Sequence, residues 1–311
     1  MQDDRRHFLK GIATMTGAVT SIGLGNASDG FSAGSRDPDA GRPNVRDKFW
    51  IWGHVAGSHN GTFGIPGESR MTPAEGAFYL DVPNLIFVAY RDPKAPCGMI
   101  PKPAEYDAYG ISFRPLKRVV WSIVGEDGQV DQNGLQSLQH LTEKFPNIIG
   151  TQMDDFFRNT MDGGRVGVLT PGELSYIQNH LYLGGRKLSL WVTLYHEDLQ
   201  YDVSEYLAHV DVVTYWTWHA KDIVGLEAGF AQAEKAAPNA RKVLGCYMWD
   251  YGDHAPIPIP LMQKQCTLGL KWLRDKRIDG MIFLASCICD LGLETVEWTR
   301  NWIREVGDEL I

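Results

Sequence analysis

The stretch Asn147-Ile-Ile-Gly-Thr-Gln-Met-Asp-Asp-Phe-Phe157 starts as an apolar β-strand and stops in two adjacent acids, Asp154 and Asp155. A strand this apolar belongs in a core. Carboxylates at the end of a core strand need partners or a task, because unpaired charge beside apolar packing is costly. Alternation along the strand puts Gly150, Gln152 and Asp154 on one face and Thr151, Met153 and Asp155 on the other. The first face is smaller and more polar.

Seven further runs of the same kind flank this one: Phe49–His54, Leu85–Tyr90, Arg118–Val124, Lys187–Leu194, Val210–Trp216, Lys242–Trp249 and Gly280–Ser286. Amphipathic segments separate them. Thr72-Pro-Ala-Glu75 and Thr170-Pro-Gly-Glu173 are capping boxes that open helices. Leu135, Leu138 and Leu141 recur at helical spacing, and Leu174, Ile177 and Leu181 do the same ahead of Gly184-Gly185. Helices are also expected near 103–109, 203–208, 223–236, 261–276 and 294–306. Eight strands alternating with eight helices imply parallel strands joined by right-handed crossovers. An open doubly wound sheet would carry a glycine-rich phosphate loop after its first strand. Here that strand runs into Gly53-His-Val-Ala-Gly57, which lacks it. The expectation is an α/β chain folded as a closed (β/α)8 TIM barrel, one domain over 47–311.

Ahead of the barrel, residues 1–35 read as an export signal and 36–46 as a linker. Arg5-Arg-His-Phe-Leu-Lys10 and the weakly apolar run to Gly25 resemble the twin-arginine (Tat) signal, with Asp4 where that pattern has Ser or Thr. The run is too short and too rich in Gly and Thr to span a bilayer. The resemblance implies passage of the folded chain through the Tat translocon to the periplasm or beyond, with cleavage near 27–33. A net charge of −8 gives no electrostatic case for nucleic acid or anionic lipid as partner. The five cysteines match no zinc spacing, and Cys287-x-Cys289 reads as packing thiols in a buried strand. No cofactor or metal is expected.

Active sites of such barrels lie at the C-terminal strand ends. Those ends collect acids and flat rings: His54, Arg91, Glu126, Asp154, Asp155, Tyr195, His196, Glu197, Tyr215, Trp218, Tyr247, Trp249 and Asp250. Carboxylates bind sugar hydroxyls and aromatic rings pack on sugar C–H faces, so a carbohydrate is the expected substrate. Glycoside hydrolysis takes two carboxyl groups, one acid and one nucleophile or base. The arrangement resembles glycoside hydrolases built on a (β/α)8 barrel, several families of which end strand four in a catalytic carboxylate. It matches no single family. The chitinase-like D-x-D-x-E run is only echoed, with Phe156 where the Glu would stand, and the Asn-Glu pair of another large group is absent.

On this reading Asp154 is the nucleophile or base, Glu197 the proton donor and Glu126 its reserve. Asp155, His54, Arg91, Gln152, Tyr195, His196, Tyr215, Trp218, Tyr247, Trp249 and Asp250 are the substrate-binding candidates. Two other readings stay open. One is a metal-dependent sugar isomerase, epimerase or lyase using Glu126, Asp154, His196 and Asp250. The other is a carbohydrate-binding protein without catalysis, in which the rings matter and the acids do not.

Overall fold

The computed structural model describes residues 43–91, 99–124, 134–157 and 166–311. The expected export signal, Glu126 and one of the five cysteines, Cys97, lie outside them, as does the side chain of Arg91. Eight parallel strands close into a barrel: β1 (Phe49–Gly53), β2 (Asn84–Phe87), β3 (Arg118–Val124), β4 (Ile148–Met153), β5 (Ser189–Tyr195), β6 (Val212–Trp216), β7 (Arg241–Tyr247) and β8 (Gly280–Leu284). They pair in sequence order, and β8 returns to β1 through Phe49–Met281 to Trp52–Leu284. A helix follows each strand: α1 (Pro73–Leu80), α2 (Tyr106–Ser112), α3 (Gly134–Lys144), α4 (Pro171–His180), α5 (Ser204–Leu207), α6 (Leu226–Ala236), α7 (Ile259–Arg274) and α8 (Glu294–Val306). Both capping boxes form as the sequence implies, Thr72 with Glu75 and Thr170 with Glu173. Among the described residues no helix is long and apolar enough to cross a membrane.

The barrel interior is filled by tryptophan. Trp50 meets Trp191 edge-on at 5.1 Å, and one layer higher Trp52 meets Trp216 at 5.2 Å. Such bulk needs small residues opposite. A Cβ at Gly245 would fall 2.1 Å from the Trp216 ring, so only glycine fits there. Buried indole N–H groups need acceptors. Trp191 Nε1 donates to Ser189 Oγ at 2.7 Å and Trp216 Nε1 to Thr214 Oγ1 at 3.0 Å, each two residues back on its own strand.

Several local expectations change. Residues 43–46, expected as linker, pack against the last residues of the chain. Asn44 caps a 3-10 turn (Val45–Lys48), Val45 is fully buried, and Val45 N–H donates to the Glu309 carbonyl. Tyr90–Arg91 leaves the barrel and pairs antiparallel with Met99–Ile100. Lys187 belongs to a hairpin, Tyr182–Leu183 with Arg186–Lys187, whose turn is Gly184-Gly185. The Arg118 guanidinium lies 4.8 Å over the Trp50 ring and donates to Asn84 Oδ1, while Lys242 is 9% exposed. Cys287 and Cys289 lie in and just past a 3-10 turn (Ser286–Ile288) beyond β8, not in the strand. Both are buried and free.

Candidate active site

The C-terminal end of the barrel holds a cup of about 120 Å³. A single water takes about 10–15 Å³ on that measure, so the cup has room for one ring-sized group. Trp52, His54, His59, Phe63, Asp154, Asp155, Thr193, Tyr195, Trp216, Trp218, Tyr247, Tyr251 and Leu284 line it.

Asp154 follows β4, and its amide is still held in the barrel ladder by the Val124 carbonyl at 2.9 Å. Its Oδ1 accepts from Thr193 Oγ1 at 3.1 Å and from the Asp155 amide at 2.9 Å. The donor is itself oriented: Gln152 Nε2 donates to Thr193 Oγ1 at 2.8 Å, which leaves the threonine hydrogen for Asp154. Gln152, a substrate-binding candidate from sequence, is fully buried one layer below the cup and acts through Thr193.

Strand alternation sends Asp155 to the outside of the barrel. Its backbone instead turns left-handed, with φ at 45°, a conformation Asp tolerates better than most residues. That turn brings its carboxylate into the cup beside Asp154, where Tyr195 Oη donates to Asp155 Oδ1 at 2.9 Å. Burial, and then the charge of Asp155, raises the Tyr195 pKa well above its ordinary value, and Tyr247 behaves likewise through burial and Asp154. Both phenols therefore stay protonated and serve as donors.

On the far wall the His54 and His59 rings are 4.6 Å apart. Burial, then the neighbouring imidazole, pushes the His54 pKa well below the usual range, and burial takes His59 to about 4. Both are neutral at pH 7. His59 Nδ1 pairs with Tyr251 Oη at 3.1 Å, while His54 Nδ1 is buried without a partner among the described residues.

The other candidates lie elsewhere. Tyr215 points into the helical layer, where its hydroxyl meets His196 Nδ1 at 3.0 Å against Gly229 of α6. Trp249 sits behind the wall and donates its indole N–H to the Phe63 carbonyl at 2.9 Å. Asp250 is spent on backbone, accepting from Ala220, Gly252 and Asp253 amides. Glu197 is exposed in the 3-10 turn His196–Gln200 after β5, where its charge acts on Tyr215 and Tyr247. The candidates from sequence do not include Trp52, Phe63, Thr193 or Tyr251. Alternation on β5 could have found Thr193, since it shares a face with Tyr195. Phe63 and Tyr251 come from loops, where periodicity is silent.

Among the described residues, His219, Asp250 and Asp253 are the set whose ligand atoms gather within 4.8 Å. His219 Nδ1 and Asp253 Oδ1 already pair at 2.8 Å, with Lys221 Nζ 3.7 Å from the other Asp253 oxygen. With Asp250 capping backbone, the group ties the β6 and β7 loops together.

No family model matches the chain, and no curated protein matches its sequence. Solved structures do resemble it. One is a candidate alpha-L-fucosidase from Bacteroides thetaiotaomicron, 10% identical, with a TM-score of 0.52 over 85% of this chain and 97% of that one. Another is a xylanase-A-amylase inhibitor protein, 12% identical, with a TM-score of 0.51 over 85% and 99%. At such identities the likeness is one of fold: this chain is a closed (β/α)8 barrel of the architecture that glycoside hydrolases use.

Proposed function

We propose that the protein is an exported glycoside hydrolase. The observation that carries this reading is the pair of carboxylates, Asp154 and Asp155, set side by side in a cup walled by Trp216, Trp218, Tyr247 and Tyr251. Hydrogen-bond donors to Asp154 favour its ionised form, which suits a nucleophile or general base. Asp155, held by Tyr195, is placed to grip sugar hydroxyls. Neither is placed as a proton donor, so that role falls to the rim, where Glu197 follows β5 and would meet the leaving oxygen at the mouth. The Arg5-Arg6 motif supports export of the folded chain through the Tat translocon to the periplasm or beyond.

The fold does not choose between catalysis and binding, since one of the similar structures is named an inhibitor protein. The carboxylates favour catalysis. Asp154→Asn keeps the shape of the cup and removes the charge. Turnover of aryl glycosides should fall by about a thousandfold or more while binding of the matching sugar changes little. Full activity in Asp154→Asn would overturn the assignment. Wild-type protein that binds sugars yet never hydrolyses them would make it a binding protein.

A further inference from the structure

One half of the rim is sewn shut. The loop from His54 to Met71 folds over the β7 and β8 ends and is fastened at several points. His59 Nδ1 pairs with Tyr251 Oη, Trp249 Nε1 donates to the Phe63 carbonyl, and the Arg70 amide donates to Asp290 Oδ2 at 2.9 Å. Phe63 packs edge-on to both Tyr251 and His254, at 5.2 and 5.8 Å. Gly64 lies so close to His254 that a Cβ there would fall 2.6 Å from the His254 carbonyl. At the foot of the loop, Ser286 Oγ accepts from the His54 amide at 3.2 Å. The next stretch of rim is closed by His219 with Asp253 and by the Ala220 amide with Asp250. From β6 through β7 and β8 to β1, loop is bonded to loop.

Asp154 and Asp155 stand on the opposite side, on β4. A saccharide threading through the cup would need two open ends, and one closed side is enough to deny it. Resting on the hydrolase reading, we propose that the cup is a blind subsite for one terminal sugar, so the protein trims saccharides from the non-reducing end. The end follows from the geometry. The anomeric carbon of the bound ring faces the mouth, where the rest of the substrate leaves, and its remaining hydroxyls face the wall of His54, His59 and Tyr251. In each turnover the C1–O bond breaks, the leaving oxygen takes a proton from the rim acid, and water gives its hydroxyl to C1 and its remaining proton to the carboxyl pair. One water is consumed per sugar released.

The test uses neutral oligosaccharides of α- and β-linked hexoses and 6-deoxyhexoses, labelled at the reducing end, with wild-type protein. Terminal trimming gives free unlabelled monosaccharide and labelled products that shorten one residue at a time. Labelled fragments from internal cuts at the earliest time points would overturn the proposal. A second arm is independent of turnover: quenching of tryptophan fluorescence in Asp154→Asn by a monosaccharide and by its trisaccharide. A blind subsite predicts dissociation constants within about threefold of each other, and tightening by about tenfold or more with chain length would overturn it. Failure to bind any sugar of the panel would overturn it as well. Length-independent binding without hydrolysis would leave the blind subsite standing and sink the hydrolase reading instead.

Discussion

Asp154 shows how one carboxylate can be held ready by a relay of neighbouring side chains. Gln152 aims the Thr193 hydroxyl, and Thr193 delivers it to Asp154. A hydrogen bond to a charged group contributes about 1.5–3 kcal/mol. Thr193→Val removes that donor at nearly constant volume. Activity should drop by about ten- to a hundredfold, and the acidic limb of the pH–rate profile should move to higher pH, because losing a donor to the ionised form raises its pKa. An unmoved limb would mean that Asp154 is not the group whose ionisation the rate follows. Asp155 carries a different lesson. Strand periodicity sets it outside the barrel, and one left-handed residue brings it in.

Two elements make room for each other at the level of β6 and β7. Trp216 can fill the barrel because Gly245 has no side chain. Gly245→Val drives a branched side chain into the indole, and overpacking of this kind costs about 1–3 kcal/mol or more. Thermal unfolding should shift down by about 2–4 °C per kcal/mol in a chain of this size. Because Trp216 also lines the cup, sugar binding should weaken as well. A variant as stable as wild type would show that the tryptophan layer can shift at little cost. The β1 and β7 loops are coupled on the same principle, with packing and hydrogen bonds replacing regular pairing.

Over the whole molecule, the buried histidine pair sets an acid limit. His59 has a folded-state pKa of about 4 against 6.5 for a free imidazole. Above about pH 6.5 both folded and unfolded chains hold it neutral, and it has no effect on stability. As pH falls through that value, the unfolded chain takes up protons that the folded chain refuses, so stability declines until about pH 4. The loss from His59 alone is about 3 kcal/mol, and His54 acts in the same direction. Melting temperatures between pH 4 and 8 check this: His59→Gln should flatten the acid side of the curve. A wild-type curve flat down to pH 4 would rule out buried neutral histidines.

Much of this barrel was legible along the chain. Strands buried on both faces must be apolar or aromatic, helices covering them must be amphipathic, and their strict alternation leaves few closed arrangements. The same logic put acids and rings at the C-terminal strand ends, and Asp154, Tyr195, Trp218, Tyr247 and His54 do meet in the cup. What one-dimensional periodicity does not carry is direction at a strand end and contact between loops. Tyr215 faces the helices, Trp249 braces a wall, Asp155 is turned inward by its own backbone, and Phe63 and Tyr251 enter from loops far apart in sequence. Those outcomes depend on packing and hydrogen bonds between segments that become neighbours only once the barrel has closed.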